Sequence, residues 1–189
     1  MKKKIAILGS TGSIGKTTVK IINENKKNFD VILLSTNNNL KKIKKQIRIL
    51  KPKNLVIKNK NHYLNLKNKF KKINIFNSFD QFFKKYNTKI DYAISAISGL
   101  PGLQPTLDII KYTKNVAIAN KESIICAWNL IERELKKNNT KFIPVDSEHF
   151  SIWYLLKNKK KETIEKIIIT ASGGPFLNWK INKIKKATP

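Results

Sequence analysis

The sequence predicts an α/β protein built on a doubly wound, mostly parallel sheet. Three observations predict it. Short apolar runs of strand length alternate with lysine-studded stripes of helical period along most of the chain. A glycine-rich turn, Gly9-Ser10-Thr11-Gly12-Ser13-Ile14-Gly15, joins the first apolar run to the first helical stripe. Polar clusters recur directly after later apolar runs, at Asn120-Lys121-Glu122 and Asp146-Ser147-Glu148. Strands separated by helices pair in parallel through crossovers, and such sheets bind ligands at the carboxyl ends of their strands.

The elements follow in order. Residues 5–8 read as a strand and 18–25 as a helix, with the glycine turn between them. Residues 31–35 form the second strand, and 40–50 a helix with Leu40, Ile43, Ile47 and Leu50 on one stripe, ended by Pro52. Strands at 54–57 and 73–76 flank a weakly helical stretch at 62–70. Ser78 is placed to cap a helix over 79–86. Residues 90–97 read as a buried strand, followed by a Gly/Pro-rich loop and a helix from Thr106 to Tyr112. Strands at 115–119 and 141–145 bracket a helix that runs to Lys137. A further strand is expected at 164–170, leading into a second glycine turn, 171–176, with Ser172 at its centre.

Composition bounds the function. The 189 residues hold 39 Lys+Arg against 12 Asp+Glu, a formal charge of +27. Such a balance raises nucleic acid first. The cations are spread along the chain, however, and the arginines are Arg48 and Arg133, whereas bidentate recognition favours arginine. No specific nucleic-acid site is expected, although non-specific polyanion binding is. Cys126 is the single cysteine, so an intrachain disulfide and a cysteine metal cluster are excluded. Its apolar neighbours predict a packed core thiol. The chain opens into a strand and holds no apolar run long enough to span a bilayer, so a cytoplasmic protein without a membrane segment is expected.

The first turn is the strongest functional signal. Strand, glycine turn and helix present backbone N–H groups and a helix N-terminus to a phosphate. The spacing is G-x-x-G-x-x-G, and Ser10 stands where a P-loop needs its first glycine, which sets that reading aside. A Rossmann-like dinucleotide site remains. NAD sites place a carboxylate roughly 20 residues past the turn. No Asp or Glu stands between Val31 and Asp80, and the second strand ends in Thr36-Asn37-Asn38-Asn39. Hydroxyls and amides donate to a 2′-phosphate that a carboxylate would repel, so NADP is expected. Asp146 and Glu148, two apart at a strand end, have the oxygen chemistry for Mg2+ or Mn2+. The alternative is a polar helix start with Asp146 as its cap. Lys121 is a candidate for holding an anionic or carbonyl substrate, and Ser172 for donating to a phosphate.

Together the segments 9–15, 119–123, 144–149 and 170–176, in this order and spacing, resemble the 1-deoxy-D-xylulose 5-phosphate reductoisomerase family, and 96–106 matches a further family segment. The resemblance implies an NADPH- and metal-dependent conversion of 1-deoxy-D-xylulose 5-phosphate to 2-C-methyl-D-erythritol 4-phosphate, an isoprenoid precursor. It implies that Thr11, Gly12, Ser13 and Ile14 contact NADPH, with Asn37, Asn38 and Asn39 near its 2′-phosphate and Asn120 and Glu122 also facing it. It implies Lys121 on the substrate with Ser147 and Ser172, Asp146 and Glu148 on the metal, and Lys121 and Glu148 as catalytic residues. Residues 1–145 would be the NADPH-binding domain and 146–189 the beginning of the catalytic domain. A homodimer is expected by the same resemblance. Family chains continue past this point, so the 189 residues alone are expected to bind NADPH without useful turnover. Two rivals stand beside this reading: a semialdehyde dehydrogenase, which needs a catalytic cysteine, and a basic polyanion-binding or decayed module without catalysis.

Overall fold

The computed structural model describes residues 1–169 and 174–188. It divides into two compact units, Met1–Asp146 and Ser147–Pro189. The first is a seven-stranded, wholly parallel sheet. Its strands are β1 (Lys3–Leu8), β2 (Phe29–Thr36), β3 (Asn54–Ile57), β4 (Asn74–Phe76), β5 (Ile90–Ser95), β6 (Thr113–Ile118) and β7 (Lys141–Pro144), in the spatial order β4-β3-β2-β1-β5-β6-β7. The helices are α1 (Ser13–Glu24), α2 (Leu40–Leu50), α3 (Lys60–Lys69), α4 (Phe79–Lys85), α5 (Leu103–Ile110) and α6 (Lys121–Asn138).

The sequence builds two cores because side chains alternate across a strand. Ile5 and Ile7 of β1 face one layer, with Val19 and Ile22 of α1, Ile43 and Ile47 of α2 and Leu66 of α3. Ala6 and Leu8 face the other, with Phe79 and Phe82 of α4, Ile109 and Ile110 of α5 and Ile131 and Leu135 of α6. The sheet is therefore covered on both faces. Strand order reverses at β1, which pairs with β2 on one side and with β5 on the other. A crevice opens there at the carboxyl ends of the strands.

Local chemistry sets the helix starts. Asn39, Asn59, Ser78 and Asn120 each accept a backbone N–H from the first turn of the helix that follows, at Lys42, His62, Gln81 and Ser123. Three helices begin earlier than sequence periodicity predicts, α3 by two residues, at Lys60 rather than 62. α1 starts at Ser13 rather than 18, directly behind the glycine turn. α5 starts at Leu103, with Pro105 in its first turn, where a missing N–H costs no helical bond.

Among its described residues the second unit holds α7 (Ser147–Leu156), two short 3-10 turns and α8 (Ile181–Ile184). The strand expected at 164–170 does not form over 164–169. Ile167, Ile168 and Ile169 are exposed there, and among the described residues no strand pairs with them. An apolar run has strand propensity, but a strand exists only with a ladder partner. Thr170, and Ser172 in its expected turn, lie outside the described residues. Cys126 corrects the expectation of a core thiol, because it is exposed. α6 buries the stripe Ser123, Ala127, Ile131 and Leu135, and Cys126 falls beside that stripe.

Phe82 is fully buried, with Phe76, Phe83 and Tyr86 rings at 5.7, 5.1 and 5.0 Å between centroids. Phe82→Ala is expected to lower stability by about 3–5 kcal/mol, read as a shifted urea midpoint at unchanged slope.

Candidate functional site

The site grows from the β1–α1 turn. Gly9 has φ +79°, and a Cβ there would stand 2.5 Å from the Ala96 carbonyl oxygen beyond β5. A Cβ on Gly15 would stand 2.3 Å from the Gly9 carbonyl oxygen. These two glycines let the turn fold tightly against β5 and let α1 pack onto it. The turn is then bonded to β2. The Gly9 N–H donates to Ser35 Oγ at 2.8 Å, the Ser10 N–H donates to the Ser35 carbonyl at 2.9 Å, and the Thr11 and Thr36 hydroxyls meet at 2.7 Å.

α1 differs from the four capped helices. Gly12 supplies no side-chain cap, and no acidic residue occupies the first turn. Its leading N–H groups and the positive end of its dipole are left for an anion.

The other candidates of the first unit fall on the same carboxyl rim. Asn37, Asn38 and Asn39 follow β2, and Asn37 and Asn38 are exposed. Asn39 caps α2, Asn38 Oδ1 accepts from Asn59 Nδ2 at 3.2 Å, and no carboxylate stands in the loop. Lys41 and Lys42, exposed in the first turn of α2, put two cations beside it. Helix propensity alone does not favour cations there, since they oppose the dipole.

Around the β1–β5 crevice a cavity of about 340 Å3 is lined by Ser13, Ile14, Asn120, Lys121, Glu122 and Asp146, against a wall from Ala96 to Ser98. Lys121 and Glu122 are exposed at the start of α6, and Asp146 is exposed after β7. Asn120 is 3% exposed and fully engaged. Its Nδ2 donates to the carbonyls of Ile97 at 2.7 Å and Gly99 at 2.8 Å, while its Oδ1 accepts the Ser123 N–H at 3.1 Å. It ties the loop after β5 to the start of α6. Two of the larger clefts, of about 750 and 850 Å3, lie around β4 and the amino ends of β3 and β4. Lysines such as Lys53, Lys71 and Lys72 line them. Neither includes a glycine turn or a carboxylate, so size alone does not make either the site.

Ser147 and Glu148 belong to the second unit, where Ser147 Oγ donates to Glu148 Oε2 at 2.8 Å. Among the described residues no group of three or more His, Cys, Asp or Glu is placed to hold a metal. Asp146 and Glu148 each carry the oxygen chemistry that a hard cation takes. The open α1 terminus and the carboxylate-free loop after β2 fit a 2′-phosphorylated dinucleotide.

Comparison with known proteins agrees with this geometry. The family model described as 1-deoxy-D-xylulose 5-phosphate reductoisomerase matches residues 5–128, and the model of that enzyme's C-terminal domain matches residues 142–189. This chain belongs to the 1-deoxy-D-xylulose 5-phosphate reductoisomerase family. The reductoisomerase of Pelagibacter ubique is 56% identical over 187 residues, covering 97% of this chain and 48% of that protein. The reductoisomerase of a Wolbachia of Culex pipiens is 38% identical over 189 residues, covering 98% and 48%. The solved reductoisomerase of Zymomonas mobilis in complex with NADPH superposes with a TM-score of 0.86 at 32% identity, covering 97% of this chain and 49% of that one. A reductoisomerase in complex with NADPH, fosmidomycin and magnesium gives a TM-score of 0.80 at 27% identity, covering 98% and 49%. The chain thus spans about half the length of the reductoisomerases it matches. None of its described helices is long and apolar enough to cross a membrane.

Asn120→Asp keeps the capping acceptor but loses both donors. As a cap alone it would be nearly neutral. Because two partly buried carbonyls lose their partners and face a carboxylate, it is expected to lose about 1–3 kcal/mol of stability in urea unfolding.

Proposed function

We propose that this chain supplies the NADPH-binding portion, residues 1–145, and the beginning of the metal- and substrate-binding portion, residues 146–189, of an enzyme that converts 1-deoxy-D-xylulose 5-phosphate to 2-C-methyl-D-erythritol 4-phosphate. The observation that carries the reading is the uncapped α1 N-terminus behind Gly9, on the same cavity as Lys121 and Asp146. The solved relatives in complex with NADPH and with magnesium support it.

In this reading Thr11, Gly12, Ser13 and Ile14 receive the pyrophosphate and the adjoining ribose, using backbone N–H groups that need no rearrangement. Asn37, Asn38 and Asn39 donate to the 2′-phosphate, and the ammonium groups of Lys41 and Lys42 offset its charge. The loop that Asn120 holds, together with Glu122, borders the nicotinamide end. Lys121 lies toward the substrate and stabilises its anionic oxygen, the electrostatic part of catalysis. Asp146 and Glu148 hold the divalent cation, with Glu148 also facing the substrate. The hydroxyls of Ser147 and Ser172 donate to substrate oxygens. When bound, the nicotinamide supplies hydride and the cation supplies positive charge at the substrate's oxygens. The protein contributes orientation and fixed dipoles.

The semialdehyde dehydrogenase reading needs an activated thiol. Cys126 is exposed on α6 and does not line the cavity.

The test is a fluorescence titration of the 189-residue chain with NADPH and NADH at two salt concentrations. NADPH is expected to bind at least about tenfold more tightly than NADH, a difference of about 1.4 kcal/mol for the 2′-phosphate. Lys41→Ala/Lys42→Ala is expected to remove most of that preference while leaving NADH unchanged. Equal affinity for both nucleotides in the native chain sinks the NADP assignment. Parallel assays with Mg2+ and substrate are expected to show no useful turnover by these 189 residues. Turnover at a full-length relative's rate would overturn the assignment of catalysis to the longer protein.

A further inference from the structure

We infer that Gln46 is a positioning residue for the nucleotide-binding turn: it orients the Ser10–Thr11 peptide so that the Thr11 N–H faces the ligand. The inference rests on the reading that this turn receives NADPH.

Gln46 lies on the inward face of α2, between Ile43 and Ile47, and is 6% exposed. Its amide pairs twice with one residue. The Ser10 hydroxyl donates to Gln46 Oε1 at 2.7 Å, and Gln46 Nε2 donates to the Ser10 carbonyl oxygen at 2.8 Å. Ser10 itself is fully buried and also bonded to Ser35. A helix otherwise remote in sequence therefore fixes both the side chain and the carbonyl of the turn's second residue.

The consequence follows from peptide planarity. In a trans peptide the carbonyl and the next N–H point in opposite directions within one rigid plane. Among the described residues no peptide is cis. With the Ser10 carbonyl held toward buried Gln46, the Thr11 N–H is turned away from α2. Among the described residues no acceptor meets that N–H. It adds a donor next to the uncapped start of α1.

Glutamine suits the task because its amide accepts from a hydroxyl and donates to a carbonyl at the same time. Methionine matches its length and does neither. An ionised glutamate accepts but cannot donate, and would face the Ser10 carbonyl with like partial charge. A protonated glutamate can do both.

The test uses two ligands and two variants. NADPH carries the pyrophosphate that the turn would hold. Adenosine 2′-monophosphate lacks it and depends on the loop after β2. Gln46→Met, checked for folding by its cooperative melt, is expected to weaken NADPH about tenfold and to leave adenosine 2′-monophosphate within about twofold. Gln46→Glu is expected to show a deficit against the native chain that grows as pH is raised from about 5 to about 9, because ionisation removes the donor. A folded Gln46→Met chain that binds NADPH like the native one overturns the inference, as does equal loss of both ligands. A native chain that binds no NADPH overturns the cofactor reading first, and that arm is read before any variant.

Discussion

The closeness of Gly9 to the end of β5 is the constraint on which the rest depends. A single methyl group on Gly9 would meet the Ala96 carbonyl at 2.5 Å. At this point the sheet changes winding direction, with β2 on one side of β1 and β5 on the other. Because the turn can sit that low, α1 begins at once and its N-terminus opens into the crevice. The residues from Ala96 to Ser98 form the wall, and Asn120 pins the next loop to the same level through the carbonyls of Ile97 and Gly99. Three strand ends are thus held at one height by backbone contacts and one amide side chain. Lys121 and Asp146 reach the cavity because those strands are parallel and in register.

Two helices divide the task of presenting the turn. α1 supplies donors and a dipole, whereas α2 holds the turn from behind through Gln46. The loop after β2, where a 2′-phosphate would lie, is also the start of α2, capped by Asn39. A rigid helix about 16 Å long, by the usual rise of about 1.5 Å per residue, has one end at this loop and its middle behind the turn.

Much of the sheet was legible in the sequence because parallel strands buried on both faces are short, continuous apolar runs, and seven of these became strands. Helix starts were legible where a side chain caps, as at Ser78. They were not legible at α1, whose start is defined by the lack of a cap, a feature that leaves no residue type to read. The run 164–169 misled because its pattern reports propensity, while pairing depends on what lies beside it. The rim positions of Asn37 to Asn39, Asn120 to Glu122 and Asp146 could be anticipated, since strand ends follow directly from the apolar runs. Gln46 could not. In the sequence it is one polar residue in a lysine-rich helix, and its importance comes from a partner 36 positions away.

The high positive charge finds a physical place in this topology. Each of the first six strands is approached through a segment that carries lysine, as at Lys2, Lys27, Lys51, Lys71, Lys89 and Lys111. Most of those segments follow helix C-termini, where the macrodipole favours cations by a few tenths to about 1 kcal/mol each. Among the described residues, the segments that leave the strands of the first unit carry lysine only at Lys58. The lysines of the segments between elements therefore lie mostly toward the rim opposite the glycine turn, whereas Lys16, Lys41, Lys42, Lys60 and Lys121 stand at helix starts on the glycine-turn side. This ordering requires no nucleic-acid partner, since helix electrostatics alone accounts for its direction. Residues 9–15 of the turn itself hold no lysine, and the donors there are oriented N–H groups whose positions the fold fixes before any ligand arrives.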